Sequence, residues 1–151
     1  ENLMNGERII YRTKLHWIVL LWPIIMALLG FIFIALGFAM REYPVFVGIG
    51  LVLLVSAIIC QISFFITYKT SEFGITNKRI LIKVGFINRT SLETLLTKVE
   101  GIQVDQGILG RIFNYGSIIV KGTGGTSNPF HDIVAPMEFR KKVQEQISLV
   151  Q

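Results

Sequence analysis

A glycine-rich stretch, Gly-Thr-Gly-Gly-Thr at residues 122–126, has the composition of a phosphate cradle. A P-loop, however, needs Gly-Lys-Ser/Thr opening a helix after a strand. This segment carries no Lys and lies between two alternating segments, so it reads as a hairpin turn. His16 and His131 are far apart, with no Glu-x-x-His or Cys-x-x-Cys near either. His16 precedes Trp17, where an amphipathic ring suits a membrane interface better than a metal site. Glu93, Glu100, Asp105 and Asp132 fall on strand ends or solvent faces without a second carboxylate at a set spacing, so they read as solvated charges. Cys60 is the only cysteine, which excludes a disulfide framework and a cysteine metal cluster. Asn88-Arg89-Thr90 matches a glycosylation acceptor, but the topology derived below keeps it from that machinery. No enzyme signature emerges, and no cofactor, metal or nucleic-acid partner is expected.

The elements that position these residues are set by two apolar runs, residues 17–40 and 44–68, neither holding a charged side chain. A bilayer core of about 30 Å needs about 20 apolar residues of helix, so each run is long enough to span. In lipid the backbone must satisfy its own polar groups, which makes both helical. Only Arg41, Glu42 and Tyr43 separate them, so an antiparallel hairpin over residues 17–68 is expected. Arg8, Arg12 and Lys14 precede the first run, and Lys69, Lys78, Arg79 and Lys83 follow the second. That bias predicts both termini on the cytoplasmic side of the inner membrane and residues 41–43 outside. Gly30 and Gly37 at heptad spacing, and Ser56, Cys60 and Ser63 on one helical face, are the expected seam of the hairpin or of an oligomer. Gln61, the one strongly polar side chain in either run, is assigned to helix bonding, because one amide builds no transport path.

Outside the hairpin remain residues 1–16 and 69–151. The net charge of +5 is spread along the chain, with no dense basic patch. The mean hydropathy of +0.58 mostly reflects the two runs. The sequence opens at Glu1 with no initiator Met, so a few residues are expected to precede it. Residues 8–16 alternate with a period of two and predict a strand before the hairpin that must find partners after it. Residues 71–76, 79–85, 89–95, 99–105, 117–123 and 127–133 read as further strands. Ile108, Leu109, Ile112 and Phe113 have the spacing of a short amphipathic helical turn. Pro136 opens a helix whose Phe139, Val143, Ile147 and Val150 share one face. The class is α+β: a transmembrane hairpin plus a small antiparallel barrel or split barrel capped by a C-terminal amphipathic helix.

Several segments resemble, in order, the membrane-tethered bacterial pleckstrin-homology-like (PH-like) domain family. They are Gly6-Glu7-Arg8 with Tyr11 and His16-Trp17, Phe73-Gly74-Ile75-Thr76-Asn77-Lys78-Arg79, and Gly85-Phe86-Ile87. Val104-Asp105-Gln106-Gly107-Ile108-Leu109-Gly110-Arg111, Asn114-Tyr115-Gly116, Gly122-Thr123-Gly124-Gly125 and Ala135-Pro136-Met137-Glu138-Phe139-Arg140 complete the set. The resemblance implies a split barrel closed by a helix, no catalysis, a role at the cytoplasmic membrane and a tendency to homo-oligomerise. Eukaryotic pleckstrin-homology domains hold inositol phosphates on a basic loop between the first two strands. Lys78, Arg79 and Lys83 match that pattern only in part.

These readings lead to a non-enzymatic, membrane-anchored interaction or scaffold module. It is expected to self-associate or to serve another membrane protein as an accessory subunit. The alternative is a module that senses phospholipid head groups. Alternating hairpins place Phe86, Ile87, Ile108, Leu109, Ile112 and Phe113 at the membrane-proximal end, against the bilayer or the helix ends. Trp17 marks the interface, and Arg12, Lys14, Lys69, Arg89 and Arg111 are expected near phosphates. Lys78 and Arg79 are expected at the far end, facing a partner.

Overall fold

Ile9, Tyr11 and Thr13 alternate with Ile10 and Arg12, and this stretch forms strand β1 (Ile9–Thr13). The structure is a computed structural model that describes residues 3–40, 43–85, 89–125 and 127–150. Phe86 and Ile87 therefore lie outside the described residues. The chain divides into two units, Glu1–His16 with Thr70–Gln151, and Trp17–Lys69.

In the second unit a 3₁₀ turn, Trp17–Leu20, leads into helix α1 (Leu21–Ala39), and helix α2 (Val45–Thr70) follows. Pro23 sits in the first turn of α1, where its missing N–H costs nothing. Both helices are long and apolar enough to cross a membrane, and only 11% of the most apolar window of each is buried within the protein. A core helix of a globular domain would be mostly buried.

The helix seam is built on absent side chains. A Cβ on Gly50 would lie 2.5 Å from Ile34 Cγ1 and 2.7 Å from the Gly30 carbonyl oxygen; one on Gly37 would lie 2.5 Å from Val47 Cγ2. Gly30, Gly37, Gly50 and Ala57 are all buried. Of the two seams expected for Ser56, Cys60 and Ser63, that of the hairpin is corrected: they are half-buried, beside the line of closest approach. Ser56 and Ser63 donate to the carbonyls of Leu53 and Ile59 on their own helix, at 2.9 and 3.0 Å. A hydroxyl satisfied by its own helix does not need the neighbour, whereas backbone contact requires a residue with little or no side chain.

The first unit holds, after β1, strands β2 (Glu72–Thr76), β3 (Arg79–Val84), β4 (Thr90–Leu95), β5 (Val99–Asp105), β6 (Tyr115–Gly122) and β7 (Ser127–Val134). Helix α3 (Ile108–Phe113) lies between β5 and β6, and α4 (Pro136–Val150) ends the fold. Among the described residues, one antiparallel sheet runs β1-β2-β3-β4 and the other β5-β6-β7. β1 pairs with β2 across the intervening helices, Thr13 opposite Phe73 and Arg12 opposite Gly74. Alternation drives the core: Phe73, Ile75, Ile80 and Ile82 of one sheet and Ile118, Val120 and Ile133 of the other are buried. Phe73 meets Phe130 edge to face, with ring centroids 6.1 Å apart. Helix α4 covers one side with fully buried Phe139 and Val143, while Val150 at its end is exposed.

Among the described residues the two sheets do not form one continuous barrel, and residues 13–16 join them at one corner. Thr13 Oγ1 donates to the Val134 carbonyl (2.7 Å), Val134 N–H to Lys14 (3.0 Å), and His16 N–H to Asp132 (2.6 Å). The segment that leads into the first apolar helix is thus also the stitch between the sheets.

Candidate functional site

Six residues are too few for a stable isolated helix, so α3 must be held by its surroundings. Gln106 Nε2 donates to the carbonyls of Tyr115 (3.1 Å) and Gly110 (3.4 Å). Asn114 adopts the left-handed conformation (φ 57°) that ends the helix, a position Asn tolerates, and its N–H returns to the Gly110 carbonyl. A Cβ on Gly110 would stand 2.5 Å from the Tyr115 carbonyl oxygen, and one on Gly116 would stand 2.6 Å from that of Asp105. These contacts explain the Gln-Gly-Ile-Leu-Gly-Arg and Asn-Tyr-Gly words physically. They fix one helical turn tightly against the ends of β5 and β6.

That rigid turn points its large side chains outward. Ile108 is 81% exposed, Leu109 59%, Ile112 68% and Phe113 46%. Had Ile112 and Phe113 plugged the barrel, they would be buried. Exposed Arg111 lies among them in the last turn. A neighbouring pocket of about 490 Å³ takes in Ile108, Leu109, Asp105, Ser117 and Asp132.

His16, the last residue of this unit before Trp17, packs against the platform. Its ring stacks on Tyr115 at 5.1 Å. Burial holds its pKa below the ordinary histidine value, partly opposed by a hydrogen bond with the Phe113 backbone and by Asp132. Neutral His16 is the form this site favours. Asp132 itself has φ 56°, a strained conformation for a non-glycine residue, where the β6–β7 ladder bulges. Ser117 Oγ lies 2.9 Å from His131 Nδ1, across the same bulge. Hydroxyl and imidazole are the beginning of a nucleophile–base pair, yet this pair sits on the exposed face of a strand ladder. Among the described residues no group of three or more His, Cys, Asp or Glu could hold a metal.

The opposite end of this unit holds an ion cluster that sequence reasoning missed. Glu7 accepts from Arg79 Nε (2.8 Å) and Nη2 (3.0 Å), from Thr76 Oγ1 (2.8 Å) and from Met4 N–H (2.7 Å). Arg79 Nη1 also donates to Glu93 (2.8 Å). The Arg79 hydrogen bonds hold the Glu7 carboxyl down at about 2, against the opposing effect of burial, and Glu7 in turn raises Arg79. Lys78 Nζ donates to the Asn5 carbonyl at 2.9 Å.

Arg79, expected to face a partner, is therefore a correction. It is buried, with its guanidinium shared between the carboxylates of Glu7 and Glu93, a role its planar fork of donors suits. Lys78 stays exposed. The loop comparison shifts as well, since β1 supplies the first strand. The Asn77-Lys78 turn joins the second and third strands, and the connection between the first and second is the pair of apolar helices.

Arg12, Lys14, Arg89 and Arg111 are exposed. Strand register puts Lys14 and Arg89 at the end of the first sheet nearest residues 16 and 70, far from Lys78. Trp17 and Lys69 belong to the helical unit, where Trp17 is 47% exposed and Lys69 Nζ lies 5.8 Å from the Phe65 ring centre.

No curated protein and no solved structure matches this chain. The family model described as bacterial PH domain matches residues 15–147, a span that takes in both apolar helices, every strand after β1, and most of α4. A four-stranded and a three-stranded antiparallel sheet closed by a C-terminal helix is the fold that family implies. On that match the chain belongs to the bacterial PH domain family.

Proposed function

We propose that this protein is a non-catalytic interaction module, anchored by two membrane spans at the cytoplasmic face of the inner membrane. It assembles with further copies of itself or serves a membrane complex as an accessory subunit. Both termini are cytoplasmic and Tyr43 is outside. The observation that carries the reading is the placement of two apolar helices between β1 and β2, so that the binding fold cannot be separated from its anchor. Membership of the family, which is generally non-catalytic, supports the absence of chemistry.

The distribution of charge favours a protein partner over a lipid sensor. Exposed Arg12, Lys14, Arg89 and Arg111 lie toward one end of the sheets, but exposed Lys78, Lys98 and Lys121 lie at the other, so the cations are divided between the two. Arg79, the strongest candidate for a phosphate, is committed to Glu7 and Glu93. A head-group sensor needs its cations gathered at one face.

A photo-crosslinking side chain at Lys78, in the full chain in native membranes, tests this. The expected product is a covalent adduct with a second copy or with one integral membrane protein. Adducts with phospholipid alone would refute the proposal and put the head-group sensor in its place.

A further inference from the structure

We infer that α3 is a second, shallow membrane anchor whose Ile108, Leu109, Ile112 and Phe113 lie in the boundary between head groups and acyl chains. The inference rests on the membrane-spanning reading of α1 and α2. Four large apolar side chains exposed on one short turn are costly in water, at about 25 cal/mol for each Å² left wet. The fold nonetheless holds them outward with Gln106, Gly110, Asn114 and Gly116, an arrangement that stops the turn from folding inward.

Chain continuity identifies what covers them. His16, stacked on Tyr115 and hydrogen-bonded to the Phe113 backbone, is followed directly by Trp17, the first residue of the first span. Helix α3 is about 9 Å long at 1.5 Å per residue. The interfacial zone of each leaflet is about 5–8 Å deep, and amphipathic turns bury about 5–10 Å into it. A six-residue helix bonded to the residue that precedes the span is therefore within reach of that zone. Arg111, exposed on the same turn, suits the phosphate layer. The surface matches a lipid bilayer: apolar side chains with a cation among them and no acidic residue in α3.

The test uses the full chain with Cys60→Ser, carrying one polarity-sensitive dye at Ile112→Cys, Lys98→Cys or Phe31→Cys, in phosphatidylcholine–phosphatidylglycerol liposomes. Lipids with a nitroxide near the ester end of the acyl chain serve as quenchers for positions 112 and 98, and lipids with a nitroxide near the chain terminus serve for position 31, in the middle of the first span. The dye at position 112 should emit blue-shifted and be quenched roughly twofold or more beyond the dye at 98. Equal weak quenching at 112 and 98, with the dye at 31 still quenched, would overturn this inference alone. A blue-shifted dye at 112 that escapes quenching and shifts red on dilution into more lipid would mean that a second copy covers the turn, which also overturns it. Loss of quenching at 31 would sink the spanning reading itself.

Discussion

At the residue scale, the most consequential group outside the helices is Glu7. Its carboxylate is fully enclosed and its pKa is held at about 2, against an ordinary 4.5. A carboxyl with a lowered folded pKa stabilises the fold above the unfolded value and loses that contribution as pH falls through the folded one. The window is therefore from about 4.5 down to about 2. Melting followed by near-ultraviolet circular dichroism should show stability falling across that window, and Glu7→Gln should be less stable at pH 7 with a flatter slope. Identical slopes in the two proteins would remove Glu7 from the account. The glycines of α3 provide a second test. Gly110→Ala puts a methyl 2.5 Å from the Tyr115 carbonyl oxygen, whereas Gly107→Ala meets nothing within 4 Å. The first should cost about 1–3 kcal/mol and the second about 0.5 kcal/mol or less. Equal melting temperatures would show that the close approach is not what holds the turn.

At the element scale, the two apolar helices and the sheets obey different packing rules. Sheets bury one face by alternation, so their core consists of Ile, Val and Phe. Between apolar helices in lipid there is no hydrophobic gain from association, so close packing decides, and it falls to Gly30, Gly37, Gly50 and Ala57. Gly50→Leu should force the helices apart, because even its Cβ would meet Ile34 and the Gly30 carbonyl. Ser56→Ala should change little, since it removes only a bond within its own helix. Excimer formation between pyrenes attached at Phe33→Cys and Phe46→Cys, whose rings lie 6.2 Å apart, reports the spacing in a Cys60→Ser background. Retained excimer in Gly50→Leu, or its loss in Ser56→Ala, would move the seam elsewhere.

At the scale of the whole molecule, the chain leaves the sheets after β1 and returns for β2, so one strand ladder is interrupted in sequence by both helices. Loop closure of that length costs entropy only slowly with added residues, and each doubling adds about 0.6 kcal/mol. A long insertion at this point is therefore tolerated. The proposed topology makes a direct prediction for intact cells in the Cys60→Ser background. Tyr43→Cys should react with a membrane-impermeant thiol reagent from outside, and Lys98→Cys should react only after the membrane is opened. Labelling of Lys98→Cys in intact cells would invert the orientation.

The apolar runs, the strand periods and the amphipathic face of α4 were legible because each depends on neighbours within a few residues. The charge-free stretch, the period of two and the Pro136 start each carry their own physics. The pairing of β1 with β2 was legible too, since a strand left alone before two helices must find an edge after them. Tertiary structure alone decided the rest. Arg79 looks like a surface cation in its own turn; only the arrival of Glu7 from the far side of the helices, with Glu93 across the ladder, buries it. Gly50 and Ala57 outrank Ser56 and Cys60 at the seam because helix rotation, which no spacing of small residues specifies uniquely, sets the line of contact. Ile112 and Phe113 have the same periodicity whether they plug a barrel or face outward. What turns them outward is the contact of Gly110 with the Tyr115 carbonyl and of Gln106 with both, which exists only once β5 and β6 have met.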